Sequence, residues 1–232
     1  MMEHDKIAAI VLAGGSGSRM GTGCKKQYMH LAGRPLLYYS LKTFQESCVD
    51  EIILVANEKD YCRNALICKY HLDKVVQIVP GGKERYDSVF EGLKAARGCG
   101  YVMIHDGARP FVTRKMIDDS LDAVKQYGAC AVGMPVKDTI KITDDQNFAV
   151  QTPKREQVWQ IQTPQTFSYP LIWEAYQRLF SEWPQGITDD AMVVEYGRYA
   201  KVKLIYGSYR NIKITTPEDL AIAQAFIRQE IN

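Results

Sequence analysis

The sequence lacks a surplus of charge of either sign. Lys and Arg together number 29, Asp and Glu together number 27, and the formal net charge at pH 7 is +2. Proteins that bind nucleic acid or anionic membrane surfaces through charge carry a clear cationic excess. We therefore expect neither of these partners, and any anionic ligand must be held by a local cluster of cations.

Long apolar runs are also missing. No stretch approaches the ~20 apolar residues that a membrane-spanning helix needs, and the start, MMEHDKIAAIVLAGG, places acidic residues ahead of a short apolar run. A secretory signal instead begins with basic residues and continues with a longer apolar stretch. We predict a cytoplasmic protein that does not associate with a membrane.

Cysteine pairs with a redox or metal-binding spacing are a third absence. None of the six cysteines belongs to a CxxC pair or to a zinc-type spacing. Most of them lie beside apolar residues, which favours buried, reduced thiols over disulfides. The six are Cys24, Cys48, Cys62, Cys68, Cys99 and Cys130.

What the sequence does contain is an alternation of short apolar runs with longer amphipathic stretches. The apolar runs predict strands at residues 7–12, 51–56, 74–79, 101–105, 130–136 and 201–206. The amphipathic stretches predict helices at residues 35–45, 59–70, 85–96 and 114–127, and TPED at 216–219 predicts the start of a last helix. The alternation predicts an α/β, Rossmann-like fold, with a mostly parallel sheet, helices on both faces and one domain over residues 1–232.

The alternation breaks at residues 136–162. The chain there reads as short alternating pieces around an Asp-Asp-Gln-Asn turn, which predicts a β-hairpin arm projecting from the sheet. The arm has too few apolar residues to form a core of its own, and an isolated hairpin is marginally stable in water. We therefore expect it to pack against a second copy of the chain in a homodimer.

A glycine-rich turn follows the first predicted strand. Residues 12–20 read LAGGSGSRM, and glycines let backbone N–H groups approach phosphate oxygens closely. The spacing fits neither the dinucleotide pattern GxGxxG nor the P-loop pattern GxxxxGK[ST]. Arg19 and Lys26, seven residues apart, are suited to bind a triphosphate and its transition state. A purely structural turn is the alternative.

Two further segments place polar groups at the ends of predicted strands. Residues 80–88, PGGKERYDS, suggest either a backbone slot for a base edge, with Ser88 nearby, or a plain turn and helix cap. Asp106 ends an apolar strand, where its carboxylate is well placed to hold Mg²⁺. We interpret His105 as structural, because phosphoryl transfer needs no partnered nucleophile.

Together these segments resemble the 2-C-methyl-D-erythritol 4-phosphate cytidylyltransferases of bacterial and plastid isoprenoid synthesis. The resemblance covers nearly the whole chain, through LAGGSGSRM…KKQY, PGGKERYDSV, HDGARPF, PVKDTIK, QTPQTF, TDDA and GSYRNIKITTPEDL in that order. It implies an enzyme that joins CTP to a small sugar-alcohol phosphate and releases pyrophosphate, with Mg²⁺ or another divalent cation.

The resemblance also implies a role for individual residues. Nucleotide binding is implied for Ala13, Gly14, Gly15, Gly82, Lys83 and Ser88, and stabilisation of the reacting phosphates for Arg19, Lys26 and Lys213. Binding of the sugar phosphate is implied for Asp106, which is also the metal-binding position, and for Thr139, Arg155, Thr163 and Thr188. Thr139 and Arg155 lie on the arm and are implied to reach the pocket of the neighbouring subunit.

Three alternatives remain open at this point. LAGG loops also occur in ribitol 5-phosphate cytidylyltransferases, but those usually carry HDAVRPF and lack the PVKDTIK…TDDA combination found here. A dinucleotide-binding oxidoreductase would need an acidic residue at the end of the second strand, where this chain has Val-Ala-Asn. A non-catalytic nucleotide-binding protein would need neither Lys26 nor Lys213.

Overall fold

The computed structural model describes residues 5–15, 25–182 and 186–231. The strands are β1 (Ile7–Leu12), β2 (His30–Leu31), β3 (Arg34–Pro35), β4 (Glu51–Val55), β5 (Val75–Val79), β6 (Tyr101–Asp106), β7 (Ala129–Pro135), β8 (Ile142–Thr143), β9 (Ala149–Gln151), β10 (Trp159–Ser168) and β11 (Lys203–Tyr206). The helices are α1 (Leu36–Gln45), α2 (Lys59–Tyr61), α3 (Arg85–Ala95), α4 (Arg114–Tyr127), α5 (Tyr169–Glu182), α6 (Asp190–Tyr196) and α7 (Pro217–Ile231). A π-helical stretch (Cys62–Cys68) continues α2.

Seven strands form one central sheet in the order β11-β7-β10-β6-β1-β4-β5. All neighbouring pairs are parallel except those of β10, which runs antiparallel to both β6 and β7. The predicted α/β class with a mostly parallel sheet is therefore confirmed. No helix in the described ranges is both long and apolar enough to cross a bilayer.

The apolar core lies on both faces of this sheet. Ile7, Ala9 and Val11 of β1 share one cluster with side chains of α1 and α4. Ala8 and Ile10, whose side chains alternate with these, belong to the cluster formed with α3 and α5. A strand covered on both faces is a continuous apolar run rather than an alternating one. This burial explains the sequence IAAIVL and leaves only the strand ends open to ligands.

Most predicted elements are confirmed, with boundaries that differ by at most two residues. The sequence did not predict β10, α5 or α6. β10 begins at Trp159, inside the segment predicted to form the arm, and contains the buried polar residues Gln162, Thr163, Gln165 and Thr166. A strand this polar, interrupted by Pro164, lacks the apolar pattern that identifies buried strands.

The predicted hairpin is present as the antiparallel pair β8 and β9. Asp144 closes its turn, because Oδ1 accepts hydrogen bonds from the backbone N–H of Gln146 (3.0 Å) and Phe148 (2.9 Å). Phe148 is 67% exposed and Val150 is 62% exposed, and Ile142 of β8 is also exposed. The arm therefore presents apolar side chains that no other described part of the chain covers.

The five described cysteines are all free. Cys62, Cys99 and Cys130 are buried, as predicted, whereas Cys48 and Cys68 are exposed. Burial raises the pKa of the Cys99 thiol to about 12, and hydrogen bonding to Glu51 acts in the same direction. The Cys99 thiol is consequently protonated and unreactive at neutral pH.

Candidate active site

A cleft of about 500 Å³ opens at the carboxyl ends of β1 and β6. Ligands of open α/β sheets bind at this edge, where the loops after the strands meet. Nine of the residues predicted from the sequence line this cleft: Ala13, Gly14, Gly15, Lys26, Gly82, Lys83, Ser88, Asp106 and Lys213. Leu12, Gln27, Glu84, Arg85 and Ala108 complete the lining.

The two glycine turns contact each other at the base of the cleft. A Cβ added to Gly81 would lie 3.3 Å from Cα of Gly14 and 3.2 Å from Oγ of Ser88, and one added to Gly82 would overlap Cβ of Asp87. The Gly81 N–H donates to Oδ1 of Asn57 at 2.9 Å. Gly14 and Gly81 therefore let two backbone segments approach closely, and Gly82 leaves no room for a Cβ beside Asp87, so peptide groups rather than side chains form this part of the cleft wall.

The Ser88 side chain joins the second glycine turn to the start of α3. Its hydroxyl accepts a hydrogen bond from the Gly82 N–H at 3.0 Å and donates to the carbonyl oxygen of Glu84 at 3.2 Å. Glu84 and Asp87 form a reciprocal capping box at the start of α3. The segment is therefore a helix cap and a wall of the cleft at once.

Asp106 lies among three cations. Its Oδ2 is 2.8 Å from Nζ of Lys213 and 3.7 Å from Nε of Arg109, and its Oδ1 accepts a hydrogen bond from Nε of Arg85 at 3.3 Å. Burial by itself would raise the pKa of the Asp106 carboxyl, but the charges of Arg85, Lys213 and Arg109 outweigh it and hold the pKa well below its usual range. Asp106 is thus a permanent carboxylate that fixes the directions of cations around the cleft.

Arg85 joins this carboxylate to a second, fully buried one. Its two terminal nitrogens donate to Asp190 at 2.9 and 2.7 Å, and the Tyr176 hydroxyl donates to Oδ1 of Asp190 at 2.6 Å. Burial would lower the pKa of Arg85, but Asp190 and Asp106 raise it well above its usual value. The Gln165 side chain accepts from the backbone N–H of Asp190, so the start of α6 is bonded to β10. Arg85 therefore ties α6 to the Asp106 carboxylate.

Replacing Arg85 with methionine should lower the free energy of unfolding by about 3–5 kcal/mol, because Asp190 would be left as an unpaired buried charge. Urea unfolding of the two proteins measures the difference. The matched control is Arg178→Met, which removes an exposed 2.6 Å pair with Glu182 on α5 and should change the free energy of unfolding far less, because solvent screens an exposed pair. Equal decreases in the free energy of unfolding of the two variants would show that the buried Arg85–Asp190 pair stabilises the protein no more than an exposed pair.

His105 is held as a neutral side chain. Its Nε2 lies 3.1 Å from the carbonyl oxygen of Arg109, which can only accept, so Nε2 carries the proton. The Thr163 hydroxyl then donates to Nδ1 at 3.0 Å and accepts from the Asp106 N–H at 3.1 Å. Burial lowers the pKa of His105 to about 4. These contacts agree with the structural interpretation of His105 and give Thr163 the task of bracing the Asp106 backbone.

The remaining predicted residues lie elsewhere. Thr139 and Arg155 line a separate cleft of about 190 Å³ at the base of the arm, where Arg155 donates to the Lys137 carbonyl at 3.3 Å. Thr188 precedes α6, and its hydroxyl contacts Sδ of Met192 at 3.7 Å. In the described part of the chain, none of these three lines the Asp106 cleft. Arg19 lies outside the described residues.

Sequence reasoning missed several residues of the site. Arg85, Arg109, Asp190 and Gln27 received no role, although they lie in the quoted segments PGGKERYDSV, HDGARPF, TDDA and KKQY. Each of the four lies within four residues of a residue to which a role was assigned, and this proximity in sequence is the signal that could have identified them. Which charge pairs with which could not be deduced, because Arg85 and Asp190 are 105 residues apart.

The fold and the cleft define a class of protein. Backbone glycines that can approach phosphates, with Lys26 and Lys213 beside them, suit phosphoryl transfer by positioning and charge stabilisation. The class is that of α/β nucleotidyltransferases. The chain belongs to the family described as IspD, 2-C-methyl-D-erythritol 4-phosphate cytidylyltransferase, whose model matches residues 7–229.

Individual relatives agree with the family model. The 2-C-methyl-D-erythritol 4-phosphate cytidylyltransferase of Lachnospira eligens is 52% identical over 95% of this chain and 98% of its own. That of Alkaliphilus oremlandii is 47% identical over 98% of each chain. Among solved structures, 4-diphosphocytidyl-2C-methyl-D-erythritol synthase from Anaerococcus prevotii superposes with a TM-score of 0.84 at 35% identity, covering 97% of this chain and 99% of that one.

Proposed function

We propose that the protein transfers the cytidylyl group of CTP to 2-C-methyl-D-erythritol 4-phosphate and releases pyrophosphate. The observation that carries the proposal is the single cleft that combines the glycine turn, Lys26, Lys213 and Asp106. Family membership supports the same reaction, because the named relatives match the chain over nearly its full length. The ribitol phosphate alternative shares the LAGG loop that lines the cleft, but the family match over residues 7–229 favours methylerythritol phosphate.

The chemistry follows from the groups present. An oxygen of the substrate phosphate attacks the α-phosphorus of CTP in line, a new P–O bond forms, and the bond to the β-phosphate breaks with release of pyrophosphate. The attacking phosphate is already ionised at neutral pH, so no general base is required. Arg19, Lys26 and Lys213 would stabilise the charge on the reacting phosphates, and orientation supplies the rest of the acceleration.

In this proposal, different residues around the cleft bind CTP and the sugar phosphate. Gly14 and Gly15 would offer backbone N–H groups to the triphosphate, and Ala13, whose own N–H is bonded to Val55, would line the wall beside it, while Gly82, Lys83 and Ser88 frame the base. Thr163 and Thr188 lie outside the cleft lining, and in this proposal they would support the sugar-phosphate side, where the start of α6 is bonded to β10.

A divalent cation, Mg²⁺, is part of the proposal. The described residues contain no cluster of three or more His, Cys, Asp or Glu that could hold a metal alone. Asp106 would supply the one carboxylate that Mg²⁺ usually takes together with substrate phosphate oxygens and waters, and the cation would share that carboxylate with Lys213 and Arg85. Bound with the triphosphate, the cation would neutralise charge on the departing pyrophosphate.

We further propose that the active site is shared between two subunits. Thr139 and Arg155 line a cleft separate from that of Asp106, which supports a role in the neighbour's site rather than in their own. The exposed Phe148 and Val150 of β9 and its turn supply an apolar surface for the second copy. The buried free thiols of Cys62, Cys99 and Cys130 support a cytoplasmic location, where thiols stay reduced.

The test is a pyrophosphate-release assay with purified protein. CTP should be strongly preferred over ATP and GTP, because a slot fitted to a small base excludes purines, and turnover should require methylerythritol phosphate. Chelation of divalent cations should stop turnover and added Mg²⁺ should restore it. Equal turnover with ATP would contradict the base assignment, and turnover with ribitol 5-phosphate alone would favour the alternative substrate.

A further inference from the structure

Gln27 occupies an unusual position beside the glycine turn. The residue is only 2% exposed, yet it lines the cleft next to Lys26. Its side-chain Nε2 donates to the carbonyl oxygen of Ala13 at 2.6 Å and to that of Gly15 at 3.1 Å. One side chain therefore binds two carbonyls of the segment that the proposed function assigns to the triphosphate.

These bonds fix the direction of the peptide groups in the turn. The carbonyl of Leu12 accepts from the Gly107 N–H at 2.9 Å, and the Ala13 N–H donates to the carbonyl of Val55 at 2.7 Å. With the two bonds from Gln27, the carbonyls of residues 12, 13 and 15 all point into the protein body. A carbonyl oxygen turned toward the cleft would repel phosphate oxygens and displace an N–H donor.

The turn that carries Gln27 is itself anchored from outside the cleft. Glu58 pairs with Nζ of Lys25 and accepts a hydrogen bond from the Tyr28 hydroxyl at 2.9 Å. Tyr28 also packs against Tyr61, with ring centroids 4.7 Å apart. Residues on both sides of Gln27 are thus fixed to the segment after β4, so its amide is in place before any nucleotide binds.

We propose that Gln27 is a positioning residue that holds the Ala13 and Gly15 carbonyls away from the triphosphate, so that backbone N–H groups of the turn face it. The proposal rests on the proposed function, because its ligand is CTP. An amide NH₂ suits this task since it has two hydrogens and no charge. A glutamate would direct carboxylate oxygens at two carbonyls, and a lysine would add a competing cation.

The experiment compares Gln27→Met, which keeps the shape and removes both donors, with the matched control Gln45→Met. Gln45 also binds backbone, accepting from the Lys74 N–H at 2.8 Å, but lies outside the cleft lining. Calorimetry should show the Kd for CTP with Mg²⁺ rising about 10- to 100-fold in Gln27→Met, since two carbonyls lose their donors. KM for CTP should rise while kcat and KM for methylerythritol phosphate change little. The control should match the wild type.

Several results would overturn the proposal. An unchanged Kd for CTP in Gln27→Met would show that Gln27 only fills space in the core. An equal loss of affinity for both substrates, together with a lower melting temperature, would show that its role is merely structural. Should Gln27→Met fail to fold, Gln27→Asn keeps the amide but is too short to reach both carbonyls, and the same loss of CTP affinity is expected. A wild-type protein that binds CTP but does not turn over would contradict the proposed function alone, whereas absence of CTP binding would overturn both.

Discussion

Replacing Lys26 with alanine is expected to lower kcat by about 10²–10³-fold, with a much smaller effect on CTP binding. Lys26 lines the cleft together with Lys213 and Asp106, and the residues beside it are anchored to Glu58. A cation fixed in this way stabilises charge that develops on the phosphates without reorganising during the reaction. Steady-state kinetics with CTP and methylerythritol phosphate measure kcat, and calorimetry measures CTP affinity.

The control for Lys26→Ala is Lys115→Ala. Lys115 is exposed on α4, pairs with Asp119 at 2.7 Å and lies outside the cleft lining. Its loss should leave kcat unchanged, since an exposed ion pair of this kind contributes little. If Lys26→Ala instead keeps a near-normal kcat and only its KM rises, Lys26 binds the substrate and the transition state equally well.

Mixing two inactive variants, Lys26→Ala and Arg155→Ala, is expected to restore activity to about a quarter of wild type after subunit exchange. In a random mixture half of the dimers are mixed. Each mixed dimer would combine an intact cleft from one chain with an intact arm from the other, giving one working site in two. Activity of the exchanged mixture, compared with each variant alone, measures the recovery.

A second mixture serves as the control for this complementation. Lys26 and Lys213 line the same cleft of the same chain, so Lys26→Ala mixed with Lys213→Ala should recover nothing. Every site in that mixture lacks one cation or the other. If the Lys26→Ala and Arg155→Ala mixture is equally silent, the arm serves its own subunit and the shared-site proposal is wrong.

Local patterns were sufficient to predict most of the sheet. Strands β1, β4, β5 and β6 are apolar runs, and their α/β alternation fixes both the parallel direction and the edge at which ligands bind. The glycine turns and Asp106 could be placed at that edge because each follows a strand directly. Lys213, by contrast, was implied only by the family resemblance, as were the individual roles of Ala13 and Lys83, so the nine predicted residues of the cleft come from local patterns and the resemblance together.

What escaped prediction depends on partners distant in sequence. Gln162 donates to the Ser208 carbonyl at 2.8 Å and Gln165 donates to Asp189 at 2.9 Å, so these two buried amides of β10 are satisfied by segments that follow the strand much later in the chain. Burying a polar side chain costs free energy unless such hydrogen-bond partners exist. No window of sequence around β10 contains them, and its pattern resembles that of a loop.

The antiparallel strand β10 connects the arm to the cleft around Asp106. The arm leaves the sheet from β7 and returns as β10, with Trp159 opposite Pro135 where the two strands first meet. Four residues beyond Ile161, Gln165 pairs with both Ala131 of β7 and Ile104 of β6, and the Thr163 hydroxyl in between accepts a hydrogen bond from the Asp106 N–H. The strand that begins at the arm therefore contacts the backbone of Asp106 directly. In a dimer of the kind proposed above, packing of the arm against its partner would act on this contact through β10, and assembly and ligand affinity would then be thermodynamically linked.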